Sequence, residues 1–91
     1  MSLSSYHRNQ IKNKIRNLFS CDVSVTYGET DTRGLYQYTA YFDDKDDYNA
    51  YCSDSSIDHQ VERIFHRFGG EMRSYDADSY DQILWWHMEE V

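Results

Sequence analysis

Eleven aspartates and only five glutamates supply the acidic side chains of this 91-residue chain, and two groups of the aspartates are set closely enough to suggest metal chemistry. Asp43, Asp44, Asp46 and Asp47 fall within five positions, and Asp76, Asp78 and Asp81 form a second group that opens with a DxD spacing. Hard cations take oxygen ligands from carboxylates placed this way. A calcium loop alternates its ligands, turns on a central glycine and closes with a glutamate, whereas the first group runs directly into Tyr48 and Asn49. The second group has the spacing a two-metal nuclease uses, but no lysine or histidine accompanies it in a readable pattern. Both are therefore expected as solvated segments, the first a helix start favoured by the helix dipole and the second a hairpin turn.

The remaining reactive residue types assemble no better. His7, His59, His66 and His87 contain no HxxxH pair, and Cys52, His59 and His66 stand two helical turns apart, too far for one zinc ion. Cys21 and Cys52 belong to no CxxC motif and are expected as reduced, buried thiols. The sequence has no GxSxG motif, no phosphate-binding glycine loop and no serine-histidine-acid constellation. The expectation is a protein that is not an enzyme and takes no metal or cofactor.

The elements that must position these residues follow from periodicity. Ser4 or Ser5 caps a first helix with His7, Ile11, Ile15, Leu18 and Phe19 at helical spacing and Arg8, Lys12 and Arg16 on another face. Val23, Val25 and Tyr27 alternate with polar residues as far as Gly28, and after Gly34 so do Tyr36, Tyr38, Ala40 and Phe42, which predicts a hairpin with a somewhat long loop. Asp44 can cap one or two helical turns holding Tyr48, Tyr51 and Cys52. A clearer helix starts at Asp54 to Ser56, carries Ile57, Val61, Ile64, Phe65 and Phe68, and stops at Gly69-Gly70. The tail reads as a strand over 71–75, a turn over 76–79 and a strand over 80–88. In the last strand Ile83 and Trp85 face one way and Leu84, Trp86 and Met88 the other.

The predicted order is helix, strand, strand, helix, strand, strand, an α+β fold in a single domain over 1–91. Its four-stranded antiparallel sheet would carry both helices on one face. The opposite face would stay open, and Tyr36, Tyr38, Trp85 and Trp86 are the candidates for a homodimer or partner contact there. Proline is absent, and the four glycines mark turns instead of a linker. No apolar stretch approaches the roughly 18 residues of a membrane span, and the N-terminus has no signal-like apolar run, so the expectation is a cytoplasmic protein with no membrane contact.

Charge is segregated along the chain. The first 21 residues hold Arg8, Lys12, Lys14 and Arg16 and no acid, whereas residues 22–91 hold all sixteen acids against five bases, a local balance of −11. Such a surface repels nucleic acid and attracts the cationic proteins that bind it. Aspartate is a poorer helix former than glutamate, but its short side chain holds the carboxylate closer to the backbone and more rigidly, as a surface imitating fixed phosphates requires. The candidate rows are Asp43, Asp44, Asp46 and Asp47 with Asp54 and Asp58, and Asp76, Asp78 and Asp81 with Glu89 and Glu90. Tyr48, Tyr51, Tyr75 and Tyr80 lie among them, flat partners for arginine. The alternative is an acidic surface that serves solubility, with tyrosines in strands by β-propensity.

In size, acidity and mixed helix-sheet character the chain resembles the small acidic DNA-mimic proteins that bacteriophages direct against host defence, most of all the anti-restriction proteins of T-even phages. The resemblance implies a protein that occupies the DNA-binding groove of a restriction endonuclease, of the modified-cytosine-dependent McrBC type, or of another defence protein, without binding nucleic acid itself. It transfers no site residue by motif. The other reading open at this point is an immunity- or antitoxin-like interaction module that binds through the Trp85 and Trp86 strand.

Overall fold

A computed structural model describes residues 3–78 and 81–90, with the side chain of Asp78 outside the description; Ser79 and Tyr80 of the predicted turn also lie outside it. The element order is α1 (Ser5–Arg16), β1 (Val23–Glu29), β2 (Leu35–Phe42), α2 (Lys45–Tyr51), α3 (Ser55–Arg67), β3 (Gly70–Asp78) and β4 (Gln82–Glu89). Four antiparallel strands lie in the order β1-β2-β4-β3, so the C-terminal hairpin joins the first through its last strand.

Local chemistry explains where each helix starts. Ser4 accepts the backbone N–H of His7 while the His7 ring accepts the backbone N–H of Ser4, a reciprocal cap with histidine in the usual glutamate place. Asp44 accepts the N–H groups of Asp46 and Asp47, and Asp54 that of Ser56. The turns around Tyr48 and Tyr51 thus form a helix of their own, and the fold has three helices where two full ones were expected. Gly69 and Gly70 end α3 and begin β3 with φ of 86° and 108°. A Cβ on Gly70 would run into the Met88 carbonyl, so glycine is needed there for space as well as for conformation.

Helices α1 and α3 lie side by side on one face of the sheet, and the core fills the space between. Ile11 and Ile15 of α1 and Ile57, Val61, Ile64 and Phe65 of α3 meet Val23, Val25, Tyr38, Ala40, Phe42, Ile83 and Trp85. Helix α2 closes one end of this layer, with Tyr51 packed on Phe19 and Phe42, and Tyr48 on Phe42. Two expectations need correction. Asp76, Ala77 and Asp78 are not a turn but the last residues of β3, paired with Leu84, Ile83 and Gln82, because a bulge between Met72 and Ser74 lets the strand continue. Cys21 and Cys52 are free thiols, only partly buried. Among the described residues, no helix is long and apolar enough to cross a membrane.

Candidate functional site

The antiparallel order gathers the aspartates. Asp22 precedes β1, Asp43 follows β2, Asp81 precedes β4 and Asp78 ends β3, so each strand brings one aspartate to the same end of the sheet. Backbone bonds fix this alignment: the Asp43 N–H reaches the Asp22 carbonyl, and the Phe42 N–H donates to the Asp81 carbonyl at 3.0 Å. Neighbouring strands stand about 4.8 Å apart, giving backbone positions for one carboxylate per strand across roughly 14 Å. That interval is of the order of the 3.4 Å between charges along one DNA strand.

Two helices begin beside this row. Helix α2 starts there with Asp44, Asp46 and Asp47, and α3 starts there with Asp54 and Asp58. Asp76 lies two residues before the end of β3, and Asp58 and Asp76 line one shallow depression with Tyr51, Cys52 and Tyr75. Ten of the eleven aspartates, all but Asp31, therefore share one end of the molecule. Among the described side chains, which exclude that of Asp78, no Lys or Arg lies within ion-pair distance of these aspartates, although Lys45 sits in α2 and Arg16 borders the end from α1. The exposed rings of Tyr41 and Tyr75 flank it.

Two helix N-termini make this concentration tolerable. Asp44 and Asp54 cap N–H groups there, and Asp46, Asp47 and Asp58 lie in the first turns, where the positive dipole end favours a carboxylate. Hydrogen bonds from the Ser56 hydroxyl and N–H hold the Asp54 carboxyl below its usual range. The same charge reaches inward: partial burial, with Asp47 nearby, pushes the Cys21 thiol up. The carboxylates are spread over the end and do not converge; among the described residues, no three His, Cys, Asp or Glu side chains are grouped as a metal site would require.

Not every predicted residue belongs to this surface. Asp58 accepts the Trp85 indole N–H at 2.8 Å, so its charge is partly engaged in seating α3 on β4. Glu89 is a clear correction. It is 3% exposed and receives a bidentate contact from Arg8, Nε at 2.7 Å and an Nη at 2.9 Å, because odd-numbered positions of β4 face the helices. Glu90 is exposed but lies at the opposite end of the sheet, beside Gly69. Tyr48 is buried against Phe42, not displayed.

The expected contact face is corrected in the same way. Tyr38 and Trp85 are fully buried under the helices, and Tyr36 stands on that side too, its ring 3.8 Å beneath the Arg8 guanidinium. Only Trp86 of the four lies on the open face, where register sets it beside Gln37 and Ser74. The cluster that sequence reading missed is the one around Arg8. The hydrogen bond to Glu89 raises the Arg8 pKa, and burial raises those of Tyr36 and Tyr38. Next to it, His87 stacks flat on Phe65 with ring centres 4.4 Å apart and holds the Gly69 carbonyl through Nε2. Burial lowers the His87 pKa against the opposing pull of that hydrogen bond. The alternation of Ile83, Trp85, His87 and Glu89 was the available signal, since it continues the buried face of β4 to its last residue.

Comparison with family models, curated proteins and solved structures finds no match to this chain.

Proposed function

We propose that this chain is a non-enzymatic binding protein whose aspartate-rich end enters the cationic, DNA-accepting groove of a nucleic-acid-binding protein and keeps the duplex out. A restriction endonuclease or another host defence protein is the target class suggested by the resemblance to phage DNA mimics. The observation that carries the reading is the collection of ten aspartates at one end with no ion-pairing Lys or Arg among the described residues. Acids placed only for solubility would be interspersed with bases, as Glu29, Asp31 and Arg33 are at the opposite hairpin. Short side chains on strand ends and helix caps hold the carboxylates with little rotamer freedom, so little is lost on docking. Tyr41 and Tyr75 offer flat rings to incoming arginines.

The target is the cationic surface that ordinarily displaces counterions from DNA, so association should weaken steeply with salt. The test is capture of proteins from a bacterial lysate on the immobilised chain, followed by elution with duplex DNA. Changing Asp43, Asp46 and Asp47 to Asn, with the Asp44 cap left in place, should reduce capture more than tenfold, whereas changing Lys12, Lys14 and Arg16 to Gln should not. Equal losses from the two triplets, or captured proteins that DNA does not release, would sink the reading.

A further inference from the structure

We propose that the first turn of α1 is a proton-operated clasp, closed against the end of α3 while the His7 ring is neutral and released when that ring takes a proton. A capping box ordinarily closes with glutamate or glutamine, whose side-chain oxygens still accept hydrogen bonds well below neutral pH. Here the acceptor is an imidazole nitrogen. His7 Nδ1 accepts the Ser4 backbone N–H at 3.3 Å and lies 2.9 Å from the Ser4 hydroxyl, while Ser4 Oγ accepts the His7 N–H at 3.4 Å. A backbone N–H can only donate, so Nδ1 keeps its lone pair and the ring proton of the closed turn sits on Nε2. A further proton fills that lone pair and sets a donor against a donor. It also adds positive charge to a first turn that has no acidic residue, at the positive end of the helix.

The turn holds more than itself. Arg8 donates its backbone N–H to the Ser4 carbonyl at 3.1 Å and an Nη to the Leu3 carbonyl at 2.8 Å, while its remaining bonds go to Glu89. Leu3 packs on the margin of the core, and the His7 ring stands edge-on to Phe68 with centres 6.4 Å apart. Losing the cap therefore frees residues 3–7 and uncovers Phe68, with Arg8 and Glu89 still paired. No neighbour compensates the added charge. On α1, His7 is flanked by Tyr6 and Arg8, and the last turn of α3 supplies His66 and Arg67. Among the acids at this end, Glu89 is committed to Arg8, Glu90 stands beside Gly69, and Glu71 shares the far face of the sheet with Met88. Among the described residues, none of them forms an ion pair with His7. His87 lies deeper and faces Arg8 from α1, Tyr36 and Tyr38 from β2, Glu89 on its own strand, His66 from α3 and the uncharged Met72 from β3. Its hydrogen bond goes to Gly69, so it acts on the whole fold and not on the cap.

NMR on the intact chain tests the clasp. A histidine released from the cap titrates near about 6.5, so the open turn gains population as pH falls through that value, by up to about tenfold per pH unit for one ring. Between about pH 7.5 and 5.5 the Arg8 amide, corrected for its intrinsic exchange rate, should lose about fivefold in protection and the contact between the His7 and Phe68 rings should disappear. At the higher pH the ring nitrogens of His7 should show the Nε2–H tautomer. His7→Gln keeps an acceptor at every pH and should hold the Arg8 protection within about twofold over the same range, whereas His7→Glu should move the loss down to about pH 4.3. The amide of Val61, in the middle of α3, should follow the same pH curve in the parent and in both variants, since His87 is retained. An Nδ1–H tautomer at neutral pH, an Arg8 protection that ignores pH, or a loss that persists unchanged in His7→Gln and His7→Glu overturns the proposal. The clasp lies at the opposite end of the sheet from the aspartate row, so its failure would leave the reading of that surface intact.

Discussion

Arg8 and Glu89 stand 81 positions apart and join the first helix to the last strand through a bidentate ion pair with side chains 13% and 1% exposed. Removing one partner from a pair this buried leaves an uncompensated charge, so Glu89→Ala should cost about 3 kcal/mol in urea unfolding. It should leave target capture unchanged in protein that remains folded, since the pair lies away from the aspartates. His87 gives a pH dependence of definite sign. Its folded pKa is lowered by burial, while the unfolded ring titrates near about 6.5. The unfolded chain therefore binds the proton first: the His87 contribution is complete above about pH 6.5, shrinks as pH falls, and levels off below the folded value. The buried Nδ1 has no hydrogen-bond partner among the described residues, which makes a protonated ring costlier still. An NMR titration should place the His87 midpoint below that of an unfolded histidine; a normal midpoint for His87 would contradict this.

Elements were the most legible level, for reasons that are local. Ser4, Asp44 and Asp54 each satisfy helix N–H groups within three residues, so caps and starting points can be read without knowing the fold. The alternation of β1 and β4 likewise reports one buried face. What could not be read was which side of β2 meets the helices. Its pattern places Thr39 among buried residues and leaves Tyr36 half covered, and the sides are distinguished by the packing of Tyr38, Ala40 and Phe42 in the core and by the position of Arg8 over Tyr36. The gathering of aspartates was hidden for a similar reason, since it depends on the strand order β1-β2-β4-β3 and not on spacing along the chain. Two substitutions test the local devices. Asp44→Ala should cost about 1 kcal/mol and Asp44→Asn much less, as asparagine also caps. Gly70→Ala should cost about 2 kcal/mol or more by adding a Cβ at φ of 108° against the Met88 carbonyl, measurable as a lowered thermal midpoint.

The whole molecule, 40 × 23 × 20 Å, concentrates its aspartates at one end and therefore repels itself there. Raising ionic strength from about 0.02 to 0.2 M brings the Debye length below roughly 10 Å, and the thermal midpoint should rise with it. The Asp43, Asp46 and Asp47 to Asn triplet should be at least as stable as the parent in low salt while losing the target, the pattern of a surface kept for binding at some cost in stability. A fall in stability on neutralisation would mean that these carboxylates support the fold. The bond between Trp85 and Asp58 has a practical consequence. It connects a chromophore in the interior to the outer charges, so a cation settling on the carboxylate alters the field across the indole. With Trp86 replaced by Phe, tryptophan emission from a single indole becomes a label-free readout of whatever docks.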